Sequence, residues 1–361
     1  MSIRTETPAQ PAATELAGAP GAPPGGSAKS RALRLPQQTL ARNLLLALVF
    51  GVILYLLSES LSSFNNLRLA TIAYYFTALA GLTVLTGLNG QISLGHGAFF
   101  AIGAYVAAVL MDKANWQYWA TIPVAGIACL IAGFLFGLPA LRLEGLYLGV
   151  ATLALGTAMP QILKHDALSH WTGGSMGIVI VKPDAPDWSG LNQDQWLYYF
   201  SLAVLLIMFL LGWNLLRGRV GRSLIAIRDQ PVAAEAMGVN NALYKSLAFG
   251  VSAMYTGVAG ALGAIAVQFV APDSFTIFLS ITFLIGIVIG GLASISGAIY
   301  GALFIQFVPN IADQISKAAP WAIYGVFMIG FIYVMPVGVA GAIRIAWARL
   351  SKSAGAKPDK R

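Results

Sequence analysis

Residues 86–105 read TGLNGQISLGHGAFFAIGAY and contain no Asp, Glu, Lys or Arg. The stretch carries five glycines (Gly87, Gly90, Gly95, Gly97, Gly103) and a small polar set, Asn89, Gln91, Ser93 and His96. It lies at the middle of an uncharged run, residues 69–111, that is 43 residues long. A helix crossing a bilayer takes about 20 apolar residues. The run is therefore two spans long with a polar, glycine-rich seam at its centre. Irregular polar backbone at such a place is tolerated only where it is buried in protein or lines a watery path.

Composition points the same way. Apolar residues make up 57% of the 361-residue chain and charged residues 10%, whereas a soluble domain carries about 25% charged residues. An all-α polytopic membrane protein follows. The net charge of +8 does not indicate nucleic acid, because the basic residues gather in the tails and one loop, as loops on the cytoplasmic side do. The single cysteine, Cys129, reads as a small apolar residue facing lipid or core. Residues 1–30 are rich in Ala, Pro and Gly and have no apolar run, which predicts a disordered tail through residue 42 and no signal peptide.

Charged residues cut the remainder into runs that can be read as spans. Residues 43–58 form a first run of 16, followed by 69–111, 114–141, 145–163, 195–216, 246–272, 274–312 and 318–343. Giving two helices to each long run (69–111 and 274–312) makes ten spans; eight is the alternative if one helix of each is re-entrant. Residues 1–42 carry five Lys/Arg against two acids, 217–245 five against two and 344–361 six against one, while 164–194 carries two against four. The first three are expected on the cytoplasmic side and 164–194 outside. A permease domain over 43–343, with a basic cytoplasmic tail from 344, fits both counts.

The second long run also breaks at its midpoint, IGGLASISGAIYG over residues 289–301. Glycine-interrupted spans in both halves of a chain point to internal repeats around a path. Small-residue helix packing is the other reading, and it is preferred for Gly286, Gly290 and Ser294. In the external loop, His165 and His170 lack a third close nitrogen or thiolate, which argues against metal. Thr172, Gly173, Gly174 and Ser175 form a turn suited either to offering N–H groups to a partner or anion or to ordinary chain reversal. In 217–245, Pro231 opens a short helix that Gly238 closes. Its apolar residues Val232, Ala236 and Met237 either dock on a soluble partner or lie on the chain's own bundle.

Five blocks occur in order: GLNGQISLGHGAFFAIGAY, RLEGLYLGVATLALG, WTGGSMGI, GRSLIAIRDQPVAAEAMGVN, and GGLASISGAIYG with MPVGVAGAI. Together they resemble the LivM-type permease of branched-chain amino acid ABC importers, over roughly residues 45–345. The resemblance implies a bacterial inner-membrane subunit, with both termini cytoplasmic and a fold similar to the vitamin-B12-type importer. It implies a LivH-like permease partner, two cytoplasmic P-loop ATPases and a periplasmic binding protein. It places Arg228, Asp229, Glu235, Ala236 and Gly238 against the ATPase. Relatives of the family carry urea, short amides and aromatic amino acids, so these stand beside Leu, Ile and Val as substrates. The chain departs from the family where a usual Pro-Arg-Gly is Pro336-Val337-Gly338.

A translocation path or gate is expected at Asn89, Gln91, Ser93, His96, Phe99, Phe100 and Tyr105. No P-loop sequence occurs in the chain, and the expected spans hold no Asp, Glu, Lys or Arg that would couple an ion gradient. The expectation is a transport permease powered from outside, with no cofactor or metal and no catalytic residue; a carrier or channel for small polar solutes is the other class. His96 stands in the seam either as a hydrogen-bonding group at the helix break or as a substrate contact.

Overall fold

The computed structural model describes residues 62–355 apart from Leu141, Arg142, Glu144, Trp188, Ala293, Ser316, Ala318 and Ala319. The tail 1–42, the first apolar run and residues 356–361 lie outside the described residues. Helices dominate. They are α1 (Ser63–Leu82), α2 (His96–Asp112), α3 (Tyr118–Ala140), α4 (Leu146–Lys164), α5 (Asp166–Thr172), α6 (Gln193–Arg217), α7 (Arg219–Asp229), α8 (Pro231–Ala236) and α9 (Asn241–Val267), then α10 (Ile277–Gly290), α11 (Gly297–Ile315), α12 (Pro320–Val334) and α13 (Gly338–Gly355). Among the described residues, seven helical stretches are long and apolar enough to cross a membrane, with His96–Asp112 a shorter apolar one. This is an all-α polytopic membrane protein.

Successive helices alternate between two ends of the bundle. At one, here the basic end, Arg228 donates to the Gly87 carbonyl, and the Leu292 carbonyl lies against Gly87. At the other, Lys164 pairs with Asp273 and β1 (Ile178–Val179) pairs antiparallel with β2 (Phe269–Val270). Nine described helices make this alternation, five before residue 217 and four after 245. Charge bias calls for six and four; the further span expected at residues 43–58 lies outside the described residues. Both long uncharged runs divide into two helices at their glycine seams, as expected. Gly290 packs against Gly297 and Gly286 against Gly301, which is the packing role assigned to this break.

Helix α9 is the axis. Its apolar stretch is 83% buried, against 6% for that of Ala322–Trp347, so the first is wrapped by protein and the second lies at the periphery. The cause is composition. Helix α9 has small residues on every side, including Gly250, Gly257, Gly260 and Gly263, and a helix apolar all round is a buried one. Small faces let backbones approach where no water drives association. Several threonine hydroxyls within the helices are satisfied locally: Thr71, Thr77 and Thr83 each donate to the carbonyl four residues earlier. Helix α13 continues through residue 344 to Gly355, with no Gly or Pro in residues 342–354 to interrupt it.

Candidate translocation site

Helix α1 ends in a π-helical turn, Thr83–Leu88, and the chain stays irregular until His96. Such turns mark functional sites in many helices. The backbone groups freed here find side-chain partners, as they must away from water. Leu94 N–H donates to Thr152 Oγ1 of α4 at 2.9 Å. Gly97 N–H donates to Ser280 Oγ of α10 at 2.8 Å. Thr86 Oγ1 donates to the Gln91 carbonyl, and Asn89 Nδ2 donates to Gln91 Oε1.

His96 joins the seam to the axis. Its Nδ1 lies 2.9 Å from Ser93 Oγ and its Nε2 2.7 Å from Ser252 Oγ of α9. The side chain is 1% exposed, with Phe99 and Phe249 beside the ring. In this conformation His96 is a buried hydrogen-bonding node. Replacing it with Ala leaves two serine hydroxyls without the ring and opens a void, an expected loss of about 2–5 kcal/mol. His96→Gln keeps one polar end and recovers part of that. Thermal unfolding in detergent reads both; an unshifted His96→Ala midpoint removes the node.

The seam's depth follows from its partners. Ser252 is near the middle of Asn241–Val267, and Thr152 and the Gly156 that packs on the Leu94 carbonyl are near the middle of Leu146–Lys164. Gly87 and Gly90 instead touch Arg228. Residues 89–95 therefore climb from the basic end to mid-bundle, and the seam is both a basic-end and a mid-depth element.

One turn beyond His96 lies a cavity of about 140 Å³. Tyr74 and Tyr75 of α1, Phe100 and Ala104 of α2, and Phe275 after β2 line it, with small residues of α9 forming its floor. The Phe100 ring stands 6.0 Å from Tyr74 and 6.1 Å from Phe275. Tyr105 is edge-on to Phe275 at 6.0 Å, and its buried hydroxyl has no partner. Phe99 points elsewhere, into a cluster with Phe136 and Phe249, because adjacent residues on a helix diverge by about 100°. Asn89 and Ser93 are buried and Gln91 half-buried. Of the expected path residues, then, Phe100 lines the cavity, Tyr105 adjoins it, Asn89, Gln91, Ser93 and His96 belong to the seam, and Phe99 packs away from both. Tyr74, Tyr75, Phe275, Ser252 and Ser280 were missed. In the sequence they are ordinary aromatic and hydroxyl residues of apolar spans.

The 217–245 segment divides in two. Helix α7, which sequence reading did not resolve, buries Leu224 and Ile227 against the bundle. Helix α8 has Pro231 in its first turn, and Gly238 follows it with φ +85°. Val232 and Met237 are 81% and 85% exposed; Glu235, Ala236 and Asp229 are exposed too. Arg228 turns inward, its Nη1 2.8 Å from the Gly87 carbonyl and its Nε 2.9 Å from Asp229. At the opposite end, Thr172 Oγ1 donates to the Leu163 carbonyl, Gly173 closes α5 in the left-handed region, Gly174 is buried and Ser175 is exposed. His165 caps α5 through Ala167 N–H. This turn leads into β1, which pairs with β2, and Phe269 and Val270 of β2 line the cavity. Among the described residues no three His, Cys, Asp or Glu side chains gather as metal ligands.

Alternating helices around a broken pair, with an uncharged cavity above the break, define a multi-pass membrane transport permease. The chain belongs to the branched-chain amino acid transport system / permease component family, whose profile matches residues 62–336. It is 31% identical over 295 residues to the high-affinity branched-chain amino acid transport system permease protein LivM of Escherichia coli, covering 75% of this chain and 68% of that one. It is 23% identical over 287 residues to the probable branched-chain amino acid transport permease protein LivH of Methanocaldococcus jannaschii, covering 75% and 89%. It is 24% identical over 283 residues to the autoinducer 2 import system permease protein LsrC of Escherichia coli, covering 75% and 77%. No solved structure matches the chain, so kinship with the vitamin-B12-type importer fold rests on the family resemblance alone.

Proposed function

We propose that this chain is one permease subunit of an ATP-driven importer that moves branched-chain or related hydrophobic amino acids across the bacterial inner membrane. A LivH-like permease completes the path, two cytoplasmic P-loop ATPases supply energy, and a periplasmic binding protein delivers the substrate. The basic end, with both termini, is cytoplasmic; 164–194 is external. The observation that carries this reading is the stacking of an aromatic, uncharged cavity over a helix break held by Arg228 of α7. An apolar side chain suits such a cavity, and no ionised group holds it back. Helix α8 offers Val232 and Met237 to the ATPases, and their movement reaches the seam through α7.

The test is uptake of labelled Leu, Ile, Val, Phe and urea in a strain lacking the gene. We expect Leu, Ile and Val uptake to fall at least about tenfold, a loss equal to about 1.4 kcal/mol, with urea unchanged. Loss of urea uptake alone overturns the substrate class. In the complemented strain, Gly238→Pro abolishes uptake while the protein stays in the membrane, because φ +85° is closed to a ring fixed near −65°. Glu235→Lys does the same by reversing charge on the exposed face. Wild-type rates in both variants remove the coupling role of α8.

A further inference from the structure

We infer that the Lys164–Asp273 pair, at the mouth of the aromatic cavity, selects zwitterionic α-amino acids by giving up its internal contact to their ammonium and carboxylate groups. The inference rests on the reading above, that the cavity lies on the path. Size carries the first step. A dry cavity of about 150 Å³ takes one benzene ring, so one of about 140 Å³ takes an apolar side chain and leaves no room for its charged headgroup. The headgroup must stay at the mouth.

The mouth holds opposite charges. Ser274 and Phe275 line the cavity, and Asp273 precedes them in the turn Pro272–Ser274. Lys164 Nζ lies 2.6 Å from Asp273 Oδ1, the two side chains being 26% and 71% exposed. An ion pair this open to solvent contributes little stability, so fold alone gives it a weak reason to exist. Its geometry matches a zwitterion, with a carboxylate for the substrate ammonium and an ammonium for the substrate carboxylate. Beside it, Tyr105 is 4% exposed with an unpartnered hydroxyl, its ring 6.0 Å from Phe275.

The experiment uses the assembled complex of permeases and ATPases without the binding protein, whose own selectivity would mask this site. Binding of tritiated leucine is competed with 4-methylpentanoate, which lacks the ammonium, and with 3-methylbutylamine, which lacks the carboxylate. Both analogues are expected to compete at least about tenfold more weakly than leucine, as sites built around a polar group reject ligands lacking it. Asp273→Asn narrows the gap to 4-methylpentanoate, and Lys164→Gln narrows the gap to 3-methylbutylamine. Each variant is read separately, so failure of one to assemble leaves the other. Unchanged gaps in the assembled variants overturn the inference, as does absence of leucine binding to the wild type. A Phe100→Trp variant separates the two levels. Loss of binding there with unchanged gaps in the mouth variants overturns the selection role alone. Binding that survives Phe100→Trp takes the cavity off the path and both readings with it.

Discussion

Replacing Gly103 with Leu abolishes accumulation of the folded protein. Helices α2 and α9 cross at this residue, and a Cβ here would stand 2.0 Å from the Gly257 carbonyl oxygen and 2.5 Å from the Gly257 Cα. These are backbone atoms, so no rotamer change relieves the overlap. Helix α9 cannot step back either, because a Cβ on Gly257 itself would lie 2.3 Å from Cys129 Sγ on α3. Three helices are thus fixed against one another at one level, and overpacking a well-filled core costs about 1–3 kcal/mol even where side chains can yield. With backbone on both sides the loss exceeds that range. Gly149→Ala is the matched control. Nothing lies within 4 Å of its Cβ position, and Ala in a helix is favoured over Gly by about 0.5–1 kcal/mol. Membrane-fraction immunoblots and detergent thermal unfolding check both. Wild-type levels and melting for Gly103→Leu would show that the α2–α9 crossing is not as close as described.

That crossing illustrates what the sequence carried and what it did not. Uncharged run lengths were enough to divide 69–111 and 274–312 into two helices each, because charge is excluded from spans and glycine seams break them. Pro231 and Gly238 were enough to place α8, because their backbone preferences are local. Partnership across the bundle was not legible. Ser252 lies 156 residues from His96, and nothing in a Ser among Gly, Val and Ala says that its hydroxyl meets an imidazole. Tyr74 and Tyr75 line the cavity because of α1's rotation about its axis, which neighbouring helices set. The helical form of residues 344–355 was not legible for another reason: basic residues signal a membrane edge, but they are also good helix formers, and α13 runs through them.

In the ATP-driven importer proposed above, Arg228→Ala is expected to uncouple transport from ATP hydrolysis. The resemblance places Arg228 against an ATPase, yet its guanidinium spans the Gly87 carbonyl and Asp229 Oδ1, and its aliphatic stem packs over Gly90. It therefore joins α7 to the end of the π-helical turn, the place where the Leu292 carbonyl of the second break also presses. Removing it leaves the Gly87 carbonyl to water, a modest cost at a partly exposed site, so the protein still folds. On the proposed coupling role, what is lost is the link through which displacement of α7 and α8 would reach the seam. In proteoliposomes bearing the assembled importer, uptake is expected to fall about 100-fold, an effect of about 2.7 kcal/mol, with ATP hydrolysis retained. Arg228→Lys falls between, since a compact ammonium cannot hold both acceptors with the fixed fork of a guanidinium. Arg222→Ala serves as control, for Arg222 bonds the Arg217 carbonyl away from the seam. Hydrolysis and uptake lost in equal proportion would return Arg228 to the ATPase interface; uptake at the wild-type rate would dismiss the joint.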